Sequence, residues 1–509
     1  MMSVGRVLAV SFAISILAGA AVPLYQWGRL LPIDLALLRQ EDRNRDGRPD
    51  RWEYHRPSRP EQRIVQLDDD FDGRAERLTR VLGPELTADF FRPNGVSEGG
   101  RHLVLCLDGV PYEVIRDLWN QGFFHEFHAP SKLISTFPAD SELALATVLR
   151  APPVRGYENR YFDRKENRLR GGISVTLRQD TSYHRLLDYD FPGWLRGPAF
   201  VIPGRALRDD LVRLHRSFLR TRARVFIAHL ATTDSMLHVR SPEKARPYLL
   251  MIDALIRELF LTSEGRLEIT LFSDHGNTLV PSRRVPLEAF LQAQGYRLAD
   301  RLGPEKAVVI PRYGLIGAVA LYARREDVPE LARRLVHLEG VDLAVYRDGS
   351  GVLVEGRRGR ARIHFDRERD AYRYEALEGD PLRLLPLVQR LTREGKIEAD
   401  GFIRQNELFI ATADGPYPDA LRRLVRAFDG PVENPADLLL SLDDGYFFGS
   451  STFDRIVRLQ GTHGSLTARS STGFIMTTTT PLPDVVSIDE ALDQVVARAG
   501  RRSDHQGDR

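Results

Sequence analysis

A chain of 509 residues is too long for a single compact core and points to about two to four structural units. Its 72 basic and 70 acidic side chains leave a formal charge of only +2, so no global charge footprint for nucleic acid exists, and 42% hydrophobic with 28% charged residues excludes a mostly disordered chain. The single cysteine, Cys106, excludes an intrachain disulfide, a four-cysteine zinc site and an iron–sulfur cluster, which leaves carboxylates, imidazoles and hydroxyls as metal ligands.

The first segment, residues 1–30, runs from Arg6 to Arg29 without a charge. As a helix it would be about 30 Å long, enough to cross a bilayer with Tyr25 and Trp27 at the far interface. The alternative is a signal peptide cleaved after Ala18-Gly19-Ala20. Both readings export the remainder, so the expectation is an extracytoplasmic protein, membrane-anchored or released.

Residues 31–97 carry two acidic loops. Asp42, Asn44, Asp46, Asp50 and Glu53 stand at positions 1, 3, 5, 9 and 12 of a calcium loop, with Gly47 at the turn position. A second copy has Asp68, Asp70, Asp72, Gly73 and Glu76, but Thr79 where the last acid would be. These loops resemble the short calcium-binding repeats of exported bacterial proteins. That resemblance implies Ca²⁺ stiffening a spacer between anchor and catalytic body.

From residue 98 the texture changes. The apolar runs 102–110, 223–230 and 267–276 alternate with helical patterns such as 246–261. Strands of that kind indicate an α/β fold, a doubly wound, mainly parallel sheet flanked by helices, with ligands beyond the carboxyl ends of its strands. Residues 98–290 form its first part and 446–490 its second. Between them, 291–445 reads as a smaller α+β insertion with strands at 318–326, 352–356 and 360–365 and a helix at 327–338. The tail 491–509 is polar and reads as disordered.

Chemistry collects at the expected strand ends. Asp108 closes the first run and Asp274-His275 the third, while Asp234 and His238 are four residues apart and share a helical face. His463 stands far along the chain in Gly-Thr-His-Gly. Three carboxylates and three imidazoles on one rim suit two divalent ions, Zn²⁺ first and Mn²⁺ second. A pair of such ions is a standard arrangement for displacement at phosphorus. Ser135-Thr136-Phe137-Pro138 supplies hydroxyls for the nucleophile after a short strand at 132–134.

The order Asp…Thr-Phe-Pro…Asp-x-x-x-His…Asp-His-Gly…His-Gly resembles the alkaline phosphatase superfamily, and within it the nucleotide pyrophosphatase/phosphodiesterase branch, over 102–285 and 446–480. The resemblance implies Thr136 as nucleophile and as ligand of a first ion with Asp108, Asp274 and His275. It implies Asp234, His238 and His463 around a second ion, and Asn159 in G-Y-E-N-R-Y-F-D as a donor to a phosphoryl oxygen. Two departures bear on substrate preference: Ala139-Asp140 follows Thr-Phe-Pro where Asn-His is usual, and V-R-G stands where His-Gly is usual. Lacking a Cys/Ser-x-Pro-x-Arg motif around Cys106, the chain does not read as a sulfatase.

The expected function is thus phosphodiester hydrolysis through a covalent phosphothreonine. Phosphomonoester hydrolysis, phosphoryl or phosphoethanolamine transfer, and a non-catalytic calcium-dependent binding protein are the alternatives.

Overall fold

The computed structural model describes residues 36–82, 85–91, 100–263, 266–303, 306–349 and 351–492. Residues 1–30, expected from the sequence to direct export, and nearly all of the tail 491–509 lie outside them. Among the described residues no helix is long and apolar enough to cross a membrane.

The N-terminal stretch, expected as a spacer carrying loops, is an antiparallel five-stranded sheet: Ala36–Glu41, Arg51–Arg56, Arg59–Leu67, Arg77–Leu82 and Glu85–Phe91, paired in sequence order. Both acidic loops are connections of this sheet. Its inner face follows the period-two rule: Trp52, Tyr54, Ile64 and Leu78 are buried and pack on Phe260 and Leu261 of the long helix Pro242–Thr262. The sequence hides these strands because charged and polar residues fill the outward positions, as Arg51, Glu53 and His55 do in R-W-E-Y-H-R.

The central sheet has seven strands in the order Tyr189–Asp190, Val225–Leu230, Arg101–Leu107, Leu267–Phe272, Thr472–Thr477, Ser131–Ile134, Val485–Ser487. Its first three pairings and its last are parallel; only Thr472–Thr477 runs against its neighbours. Alternation along the strands feeds two cores. Leu103, Leu105 and Leu107 face helices Tyr112–Asn120, Pro203–Arg220 and Pro242–Thr262, whereas Val104 and Cys106 face the other side.

That other side is covered by helix Ser141–Val148 together with the insertion. The insertion is built on a second seven-stranded sheet, wholly antiparallel, spanning residues 318–442. It also positions the site: the Gly317 amide donates to His463 O at 2.5 Å and the Thr462 hydroxyl to Leu315 O at 2.7 Å, fixing the loop that carries His463.

Candidate active site at the carboxyl edge of the central sheet

Asp108 directly follows the strand Arg101–Leu107, and Asp274 and His275 follow Leu267–Phe272 after Ser273. Helix Thr232–Val239 leaves the strand Val225–Leu230 and presents Asp234 and His238 one turn apart. Gly109 makes this convergence possible. It adopts φ +68°, and a Cβ there would stand 2.7 Å from Asp234 Oδ1.

The six residues form two sets. In Asp108, Asp274 and His275, and again in Asp234, His238 and His463, the donor atoms all lie within 4.8 Å of one another. The sets adjoin through the His275 and His463 rings, stacked with centroids 3.9 Å apart.

The donor chemistry fits metal ions. Each imidazole gives its Nδ1–H to a backbone carbonyl: His238 to Gly461 O (2.9 Å), His463 to Ala139 O (2.8 Å) and His275 to Gly276 O (2.9 Å). That fixes the tautomer and turns every Nε2 lone pair inward. Asp274 Oδ2 and Asp234 Oδ1 are buried with no hydrogen-bond partner. His238 Nε2 lies 3.2 Å from Asp234 Oδ1 without hydrogen-bond alignment, as for atoms converging on a shared centre. Such orphaned carboxylate oxygens are costly unless a cation satisfies them.

The protonation pattern follows from the crowding. Burial, with Asp274 and Asp234 nearby, pushes the Asp108 carboxyl up to about 6. Burial acts the same way on Asp234, but His238 and His463 outweigh it and hold that carboxyl well below its ordinary range.

The structure does not bring Thr136 to these sets. Its hydroxyl donates to Pro138 O at 2.8 Å, and its carbonyl receives the Arg423 guanidinium. It faces a separate cavity with Arg422, Arg423, Arg426 and Asp489, lined by none of the six ligand residues. Ser135 is spent on the Asp274 carbonyl at 2.6 Å. The hydroxyl at the site belongs to Ser141, which donates to Asp108 Oδ1 at 3.0 Å and lies 3.2 Å from His275 Nε2.

The local cause is a helix start. Asp140 caps helix Ser141–Val148 by accepting from the Glu142 amide, so Ser141 is the first helical residue and stands at the positive end of the dipole. Asp140-Ser141-Glu142 before an apolar run is a helix-start signal readable in the sequence, and its Ser141 lies five residues beyond Thr136 of the Thr-Phe-Pro motif.

Asn159 reaches Glu142, the residue after Ser141, with its donors engaged. Its amide gives hydrogens to Glu142 Oε1 (2.6 Å) and Thr176 Oγ1 (3.1 Å), and its Oδ1 is buried without a partner. Donation to a phosphoryl oxygen therefore requires exchanging one of these bonds.

His229 is a further residue that the sequence reading passed over, since it sits inside an apolar strand. Fully buried, it bridges Asp108 Oδ2 and Asp190 Oδ1, each at 3.0 Å. Burial opposes its charge, but the two carboxylates raise it to about 10, so it stays a doubly donating imidazolium. Arg196 and His184 hold Asp190 in turn.

Residues 151–465 match the sequence model of the family described as "Type I phosphodiesterase / nucleotide pyrophosphatase". The chain belongs to this family. It is accordingly a phosphoester hydrolase of a metal-dependent class. The matched span contains Asn159, Asp234, His238, Asp274, His275 and His463, and it includes the insertion as well; Asp108, Thr136 and Ser141 precede it.

Among solved structures, the chain is similar to phosphonoacetate hydrolase from Sinorhizobium meliloti 1021 in complex with phosphonoacetate, at 13% identity and a TM-score of 0.43, covering 81% of this chain and 97% of that one. It is also similar to human ectonucleotide pyrophosphatase/phosphodiesterase 5, at 11% identity and a TM-score of 0.43, covering 79% and 95%. No curated protein sequence matches the chain.

Proposed function

We propose that this protein is an extracytoplasmic phosphodiesterase that works through a covalent enzyme adduct on Ser141. The contact of the Ser141 hydroxyl with both Asp108 and His275, at a helix start, carries this reading. Asp108, Asp274 and His275 with Ser141 would hold one transition ion, Zn²⁺ or Mn²⁺, and Asp234, His238 and His463 a second. When bound, such ions supply Lewis-acid stabilisation of the charge that develops around phosphorus.

The protein's own groups then act as follows. Ser141 Oγ forms a bond to phosphorus while the bond to the leaving oxygen breaks, and the hydroxyl proton has Asp108 Oδ1 as its acceptor. The helix dipole at Ser141 favours the negative phosphoryl group. The imidazolium of His229 restrains Asp108 from behind. Water then attacks the phosphorus of the adduct, Ser141 Oγ departs and regains its proton, and the cycle closes. Asn159 supports a phosphoryl oxygen after giving up Glu142 or Thr176.

A second reading keeps Thr136 as the nucleophile, because Thr-Phe-Pro is the family-like motif. Paired assays with an aryl phosphate monoester and diester, on Ser141→Ala and Thr136→Ala, separate the two. Loss confined to Ser141→Ala supports the first reading; loss confined to Thr136→Ala restores the second. Faster diester than monoester turnover supports phosphodiesterase activity. Transfer to an added alcohol in preference to water would favour a transferase. Residues 1–30 are read as the export segment, so the full chain is expected in the membrane or exported fraction.

A further inference from the structure

The two acidic loops of the N-terminal sheet share a sequence pattern but not a structure. In the first, Asp50 is 2% exposed and its carboxylate is already occupied by the protein. Oδ2 accepts the Arg43 and Asn44 amides at 2.6 and 3.2 Å, and Oδ1 accepts Arg43 Nε at 2.6 Å. Glu53 pairs with Arg51 and Arg63. Two of that loop's acids are thus neutralised internally, and Asp42 and Asp46 accept hydrogen bonds from the loop itself.

The second loop differs. Asp68, Asp70, Asp72 and Glu76 each place a carboxylate oxygen within 4.8 Å of the others. Asp68 is 1% exposed, yet its Oδ1 has no hydrogen-bond partner, and Glu76 Oε1 is likewise buried and unpartnered. Backbone amides secure the opposite oxygens: Gly73 on Asp68 Oδ2 (2.8 Å), Asp72 on Asp70 Oδ1 (3.2 Å), Arg74 on Asp72 Oδ1 (2.8 Å) and Asp69 on Glu76 Oε2 (2.9 Å). The neighbouring Arg43 and Arg77 both pair with Asp69, and the charge of Arg74 reaches Glu76, Asp72 and Asp70. Gly73, at φ +94°, makes the turn, beside the Arg48 guanidinium stacked on Trp119.

The loop also sits on the catalytic body. Arg74 Nη2 donates to Thr478 O at 2.8 Å and the Ala75 amide to His125 O at 2.8 Å. Gln66, just before the loop, bonds Glu126 and His125, and Trp52 stacks on His125 at 3.9 Å.

We infer that Asp68, Asp70, Asp72 and Glu76 bind one Ca²⁺, and that this ion fastens the N-terminal sheet to the catalytic body. An all-oxygen set around a glycine turn suits a hard cation with flexible coordination. The ion satisfies the orphaned oxygens and relieves repulsion among four carboxylates next to Arg74 and Ala75, the residues that touch the body. Asp42, Asn44, Asp46, Asp50 and Glu53 bind no ion.

The test is a Tb³⁺ luminescence titration of the intact protein with Ca²⁺ as competitor, alongside thermal unfolding with and without added Ca²⁺. Asp70→Asn/Asp72→Asn changes two exposed side chains, and far-UV circular dichroism verifies its fold. Expected are one Ca²⁺-displaceable site per chain and a Ca²⁺-dependent rise in unfolding temperature of at least about 2 °C, both abolished in that variant and both retained in Asp42→Asn/Asp46→Asn. If the wild-type protein shows no displaceable site, if Asp70→Asn/Asp72→Asn binds unchanged, or if the first-loop variant loses the site instead, the assignment is overturned.

Discussion

The carboxyl edge of the central sheet and the loop Asp68–Glu76 are both sets of orphaned carboxylates, built in opposite ways. The edge gathers ligands between Asp108 and His463, mixes nitrogen with oxygen, and buries nearly all of them. The loop draws on nine consecutive residues, uses oxygen only, and leaves Asp70 and Asp72 exposed. A site assembled by the whole fold can hold its imidazoles through backbone carbonyls and place a hydroxyl against them, which chemistry requires. A site made of one turn can only gather charge, which suffices to lock a junction. Loss of the edge should therefore remove turnover, and loss of the loop should loosen the attachment of the N-terminal sheet.

Five variants test this contrast, the largest effect first. Ser141→Ala should lower kcat by at least about 10³-fold with transition-metal content unchanged, measured by turnover and metal analysis on one sample. Thr136→Ala should stay near wild type.

Next, Glu126→Gln strikes the junction near the loop, where Glu126 meets Arg257 at 2.9 Å in full burial. Breaking such a pair costs about 3–5 kcal/mol in denaturant unfolding. Burial opposes the charge on Glu126, but Arg257 and His125 outweigh it and lower the carboxyl from 4.5 to about 2. A lowered folded-state value stabilises above the unfolded one, so this contribution is complete above about pH 4.5 and fades as pH falls toward 2. The variant should lack that acid-dependent slope.

His229→Gln should reduce activity by about 10- to 100-fold, because it removes a positioning residue behind Asp108 and leaves Ser141 in place. A loss as large as that of Ser141→Ala would make His229 part of the reacting group. Smallest of all, Asp42→Asn/Asp46→Asn should change stability by less than about 1 kcal/mol, since Asp46 is exposed, Asp42 is only half-buried, and asparagine keeps an oxygen for the Arg45 and Gly47 amides.

Much of this was legible from the residues. The runs at 102–110, 223–230 and 267–276 became the strands Arg101–Leu107, Val225–Leu230 and Leu267–Phe272, because continuous apolar stretches suit a strand buried on both faces. Spacing alone also placed Asp234 and His238 together. What stayed hidden depends on long-range pairing. The N-terminal strands are interrupted by charged and polar residues and become strands only where Trp52 and Tyr54 find Phe260. Ser141 replaces Thr136 at the site because the helix cap at Asp140, and not the motif, decides which hydroxyl reaches Asp108. Likewise the two acidic loops differ through Arg43, whose side chain reaches Asp50 in the first loop but only Asp69, outside the four carboxylates, in the second.

The most direct measurement is to quench the enzyme during turnover of an aryl phosphodiester in acid and locate the covalent adduct by tandem mass spectrometry of the peptide spanning Thr136 and Ser141. The account predicts a phosphoryl adduct on Ser141. An adduct on Thr136, or trapping of none under conditions that capture a known covalent phosphoenzyme, would contradict it.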